Sequence, residues 1–195
     1  VTDGSGGGGF ASIVGATLSS YAEGSKTLEL PVGTLPGDQL VAVFFQNTSD
    51  GTWTPPAGFT YGADLKSNPP INRILYWTGI AGSVGDPLTF ELSNERAIQG
   101  VLVAIRDGLV GDAFWTTGDY VTDQTLAMPG LALQFAVQTN WDGMPHGTPP
   151  ASWSDVATAS GVSAVGTLTG TSAVWTGIND NVDPALGIAF GIIPA

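Results

Sequence analysis

One stretch of this chain occurs twice. Residues 35–59 read LPGDQLVAVFFQNTSDGTWTPPAGF, and residues 128–153 read MPGLALQFAVQTNWDGMPHGTPPASW. Both run from Pro-Gly through an apolar stretch to a glutamine with an asparagine close behind. Both then pass through Asp-Gly to Thr-Pro-Pro-Ala and an aromatic residue. Pro36, Gly37, Leu40, Gln46, Asp50, Gly51, Thr54 and Phe59 match Pro129, Gly130, Leu133, Gln138, Asp142, Gly143, Thr148 and Trp153. A second echo sets Trp77-Thr78-Gly79-Ile80 against Trp175-Thr176-Gly177-Ile178. Proline cannot donate to a ladder and forces its predecessor to be extended, so each Pro-Pro segment reads as a strand exit or edge. The chain is therefore expected to fold as two related β halves. Each half has too few strands to close a core alone, so they are expected to share one.

Composition agrees with strands and turns. The 28 glycines and 13 prolines are too many for long helices and suit short strands with tight turns. Residues 1–9 (VTDGSGGGG) are expected to be a flexible lead, because glycine has no side chain to bury. Residues 10–195 are expected to form the folded domain. The chain opens on Val1, as a processed chain or a piece of a longer one would. No basic region followed by an apolar stretch opens it, and no apolar run is long enough to span a bilayer.

Strands are expected at about 10–18, 26–31, 38–47, 58–64, 72–79, 87–92, 97–106, 119–127, 130–139, 153–158, 162–168, 172–178 and 185–193. In 130–139, Leu131, Leu133, Phe135 and Val137 alternate with Ala132, Gln134, Ala136 and Gln138. In the last strand, Leu186, Ile188, Phe190 and Ile192 are expected to face the core. Ala185, Gly187, Ala189 and Gly191 are expected to face out. With Ala132 and Ala136 they form a smooth surface suited to a flat protein neighbour. Residues 40–45 and 101–105 are apolar on both sides, which calls for cover on both faces, by a loop or another subunit.

The doubled motif resembles a β-sandwich domain family found in phage virion proteins and in large bacterial surface or secreted proteins. Three further segments carry the likeness: the aromatic strand Ile74-Leu75-Tyr76-Trp77, the Ala-rich strand Ala97–Asp107, and a closing strand Ala185–Pro194. It covers roughly residues 17–195. Phe59 stands where the family usually has tryptophan, and Met144-Pro145-His146-Gly147 lengthens the second copy. The resemblance implies a virion or cell-surface structural domain. It brings no catalytic signature with it, and fold analogy alone does not fix a function.

Charge and chemistry narrow the classes. The formal net charge is −12, and residues 107–195 hold eight aspartates and no lysine or arginine. A nucleic-acid partner is not expected, because phosphate binding needs lysine and arginine to displace counterions. The absence of cysteine excludes disulfides and thiolate metal sites. His146 is the one histidine, in a Gly/Pro loop with no nucleophile at a recognisable spacing. Most acids sit beside glycine or proline, where a carboxylate bonds nearby turn amides. Asn179, Asn181 and Asp183 place oxygens at alternate positions as calcium loops do, yet lack the later glycine and distal glutamate. Trp53, Trp141 and His146 are the candidate ligand loop, with packing as end plugs the competing reading for the two tryptophans.

The sequence thus leads to an all-β, single jelly-roll-like antiparallel sandwich of about 10–12 strands. The expected role is that of a non-enzymatic virion protein without a cofactor, a capsid decoration or a head or tail fibre module. Its expected partners are other virion proteins and further copies of itself. The alternative is a carbohydrate-binding or adhesin module, extracellular or at a cell surface, that meets a host glycan.

Overall fold

The computed structural model describes residues 10–19, 22–46, 51–66, 72–93, 97–118, 123–140, 148–159, 163–176 and 185–195. These residues form sixteen strands and no helix. The first half contributes β1 (Ser12–Leu18), β2 (Ala22–Glu23), β3 (Lys26–Leu28), β4 (Gln39–Gln46), β5 (Trp53–Thr54), β6 (Thr60–Lys66), β7 (Arg73–Ile80), β8 (Leu88–Leu92) and β9 (Ala97–Arg106). The second contributes β10 (Gly108–Gly118), β11 (Asp123–Ala127), β12 (Gln134–Asn140), β13 (Ser154–Ala159), β14 (Ser163–Thr167), β15 (Ser172–Thr176) and β16 (Ala185–Pro194).

Two large antiparallel sheets carry the fold. The first runs β1-β9-β4-β7-β6, with β2 also on β9, and the second runs β10-β16-β12-β14-β13. The orders correspond strand for strand, so the duplication seen in the motif extends to topology. Val41, Val43, Phe45, Ile74, Val101, Val103 and Ile105 of the first sheet pack against Phe135, Val137, Val165, Leu186, Ile188, Phe190 and Ile192 of the second. Tyr76 meets Phe190 edge-on across this interface, with ring centroids 5.0 Å apart. The all-β sandwich expected from the sequence is what the structure shows.

It has more strands than the ten to twelve expected, because each large sheet is covered on its far side by a small sheet of the same half. The strands β3-β8-β5 cover the first sheet. They enclose Leu40, Ala42, Phe44, Leu75, Trp77, Leu88 and Phe90. The pair β11-β15 covers the second, enclosing Leu126, Met128, Ala136, Leu168, Ala173, Trp175 and Ala189. The result is four layers with three apolar seams. This explains the runs that are apolar on both sides: every residue of β4 is buried, and the cover is the same chain and not a second subunit.

The second echo does not hold. Trp77 lies on β7 of a large sheet, whereas Trp175 lies on β15 of an outer pair. The true counterpart of Trp175 is Phe90. Thr54 pairs with Glu91, next to Phe90, and its match Thr148 bridges to Thr176, next to Trp175. The aromatic residues after the two Pro-Pro segments complete the correspondence. Phe59 meets Phe90 edge-on at 5.1 Å, and Trp153 meets Trp175 edge-on at 5.5 Å. Phe59 lies over Gly79, where a Cβ would sit 3.2 Å from its ring, and a Cβ on Gly166 would run into Trp153.

Candidate functional site

The smooth surface expected on the last strand is a buried seam. Ala136 and Ala189 are fully enclosed, beneath Leu126, Ala173 and Trp175. Gly187 and Gly191 are buried too. A Cβ on Gly187 would touch Leu126, and one on Gly191 would press within 2.5 Å of Leu131. Leu186, Ile188, Phe190 and Ile192 do face the central core, but the opposite face is not a surface: its small residues permit the close approach of another layer. Ala132 is exposed, but in a bend before β12, and the side chain of Ala185 lies outside the described residues. Leu131, expected on the same side as Phe135 and Val137, is also exposed, whereas those two are buried.

Trp53 is a plug and not a ligand platform. It is 8 % exposed, lies 4.6 Å from the Phe44 ring, and donates from Nε1 to Gln46 Oε1 at 3.1 Å. Trp141, His146 and the calcium candidates Asn179, Asn181 and Asp183 lie outside the described residues. Among the described residues, no group of three acidic or histidine side chains is placed to hold a metal ion. The described cations are already engaged. Arg73 grips Asp64 through Nε and Nη2 at 2.7 and 2.8 Å, and Lys66 stands 3.8 Å from the same carboxylate. Lys26 donates to the Ala22 carbonyl at 2.6 Å.

What the structure assembles instead is an apolar end. The Pro-Gly-Asp turn of the first motif organises it. Gly37 takes φ +99°, a left-handed conformation that costs glycine little. Asp38 accepts from the Leu35 amide at 2.8 Å and from Arg106 Nε and Nη2 at 3.0 and 2.8 Å. Burial by itself would raise the Asp38 pKa. The Arg106 hydrogen bond, the Leu35 amide and the Arg106 charge outweigh it, and the carboxyl is held below its ordinary value.

Arg106 also donates to the Gly33 carbonyl, and the Gly37 amide donates to Ala81. Arg106 is the ladder partner of Ser12, and the Ala195 amide returns to Asp107. These links gather the start of β1, the 31–38 loop, the β7 end, the β9–β10 turn and the end of β16. Six large apolar side chains stand out there: Phe10 at 97 % exposure, Val32 at 96 %, and Leu35, Ile80, Leu109 and Ile193 at 38–55 %. Leu109 and Ile193 face each other across β10 and β16. Single exposed apolar residues are ordinary, whereas several gathered at one end call for a reason.

Sequence reasoning missed this surface because its members come from five separate segments, each unremarkable alone. It also missed β10, whose three glycines and Asp112 break the alternation. A register shift between Val110 and Ala113 lets the strand absorb the irregularity.

Comparison with protein-family models, with curated proteins and with solved structures returns no match for this chain.

Proposed function

We propose that this chain is a non-enzymatic structural protein of a bacteriophage virion, a capsid decoration protein or a head or tail fibre module. It docks through its apolar end. The observation that carries this reading is the gathering of exposed apolar side chains at that end. The four layers close their apolar seams within the chain, yet Phe10, Val32, Leu35, Ile80, Leu109 and Ile193 remain exposed together. A bidentate ion pair fixes the loop that presents two of them, so the surface is held in shape before a partner arrives. The doubled Pro-Gly/Thr-Pro-Pro motif and its likeness to virion β-sandwich domains support the same role.

The test is add-back of purified protein to virus particles assembled without it. Saturable co-sedimentation at a fixed ratio to a capsid or fibre subunit is the expected result. Val32→Lys or Ile193→Lys should abolish it while leaving the melting temperature within a few degrees. Failure of the wild-type protein to bind particles, together with saturable binding to an isolated cell-surface glycan, would replace this reading with adhesion.

A further inference from the structure

We propose that the side of the sandwich at β1 accepts an extended, lysine- or arginine-bearing strand from another protein. β1 is an edge of the first large sheet and pairs only with β9 among the described residues. β13, the edge of the second sheet that corresponds to β6, lies across from it, and β3 flanks the same side in the outer layer. Between the three runs a groove of about 430 Å³, lined by Ala16, Thr17 and Leu18 of β1, Thr27 and Leu28 of β3, and Ala157 of β13. That volume is within the range of ligand clefts, about 300–1,000 Å³.

The second half supplies an internal comparison. There the edge strand β10 has its outer-layer neighbour β11 packed along it. In the first half β1 and β3 stand apart, bridged by the Thr17 hydroxyl donating to the Glu29 carbonyl at 2.6 Å. Among the described residues, the outer layer therefore packs along the edge strand in the second half and leaves it uncovered in the first. An open edge offers a row of backbone donors and acceptors, the requirement for strand addition, and the groove offers space for alternate side chains.

Charge selects the occupant. Glu29 is the one charged residue lining the groove and has no ion-pair partner among the described residues. The described lysines and arginines are held elsewhere, and the chain carries a net −12. A cationic strand meets a favourable field and an acidic one is repelled. This is a contact distinct from the apolar end, and either can fail without the other.

The probe is a fluorescent peptide of about eight residues, a typical strand length, alternating lysine with valine and threonine. Saturable binding that weakens with salt is expected, with hydrogen-exchange protection gained at residues 13–18. Glu29→Lys should weaken it about tenfold or more, roughly 1.4 kcal/mol. A peptide N-methylated at alternate amides should not bind. Ala157→Trp, which fills the groove from β13, and Thr27→Trp, which fills it from the exposed face of β3, should each block binding. The second keeps the test alive if the first misfolds. Equal binding by the N-methylated peptide or by a peptide with glutamate in place of each lysine, protection at β10 instead of β1, or full binding to a folded groove-filled variant would overturn the proposal. Concentration-dependent dimerisation that protects β1 without peptide would also overturn it, and would assign the edge to a second copy.

Discussion

Replacement of Trp175 tests whether the outer pair β11-β15 is a true core layer. Trp175 is fully buried, while its neighbour Val174 is 40 % exposed on the opposite face of the same strand. A buried tryptophan hides area at the upper end of about 150–250 Å², and at about 25 cal/mol per Å² its full loss is worth about 5–6 kcal/mol. Partial collapse of the cavity brings the expected cost of Trp175→Ala to about 3–5 kcal/mol. Val174→Ala should cost about 1 kcal/mol or less, since much of its surface already meets water.

Trp175→Phe gives the sharper result. The indole Nε1 is buried without a hydrogen-bond partner among the described residues, a penalty of about 1–3 kcal/mol. The equivalent position in the first half is Phe90. Loss of ring area and removal of the orphaned donor therefore oppose each other, and Trp175→Phe should fall within about 1 kcal/mol of wild type. Urea unfolding followed by far-UV circular dichroism and fluorescence gives all three values. If Trp175→Ala costs no more than Val174→Ala, the outer pair is not a stabilising layer. If Trp175→Phe costs as much as Trp175→Ala, the indole donor carries no burial penalty and a phenyl ring does not fill its place.

Ala189→Lys should prevent folding or lower stability by several kcal/mol, since it buries an ammonium in a closed apolar seam; normal melting of this variant would return Ala189 to the surface. Fragments cut at the β9–β10 turn should be unfolded when expressed separately, because the central seam takes residues from both halves, and a folded 108–195 fragment by circular dichroism would refute this. Burial lowers the Lys26 pKa below its ordinary 10.5. In the window between the lowered value and 10.5 the unfolded chain binds more protons, so this residue's contribution to stability rises with pH there; Lys26→Met should remove that rise in urea midpoints measured at alkaline pH. Asp38 has the opposite window. Its folded pKa is depressed, so the stability it contributes is present above the unfolded value of about 4 and is lost as pH falls through the folded one; Asp38→Asn should flatten the acid limb, which a pH series of melting temperatures will show.

The repeated Pro-Gly and Thr-Pro-Pro motif, with period-two alternation, was enough to determine an all-β chain in two related halves and the inward set Leu186, Ile188, Phe190 and Ile192. These follow from local rules: proline removes a donor, and a strand presents alternate side chains to opposite faces. The destination of the other face was a tertiary matter. Ala136 and Ala189 read alike whether they meet water or Trp175, because a small side chain suits either setting. The same limit produced the false match of Trp77 with Trp175. Four identical residues in a row are a local property, whereas strand equivalence is set by the ladder partners, Thr54 with Glu91 and Thr148 with Thr176. The apolar end and the open β1 edge are non-local in the same sense. Each exists only because the chain returns several segments to one place, and neither hydropathy nor spacing along the sequence encodes which edge a fold leaves unpaired.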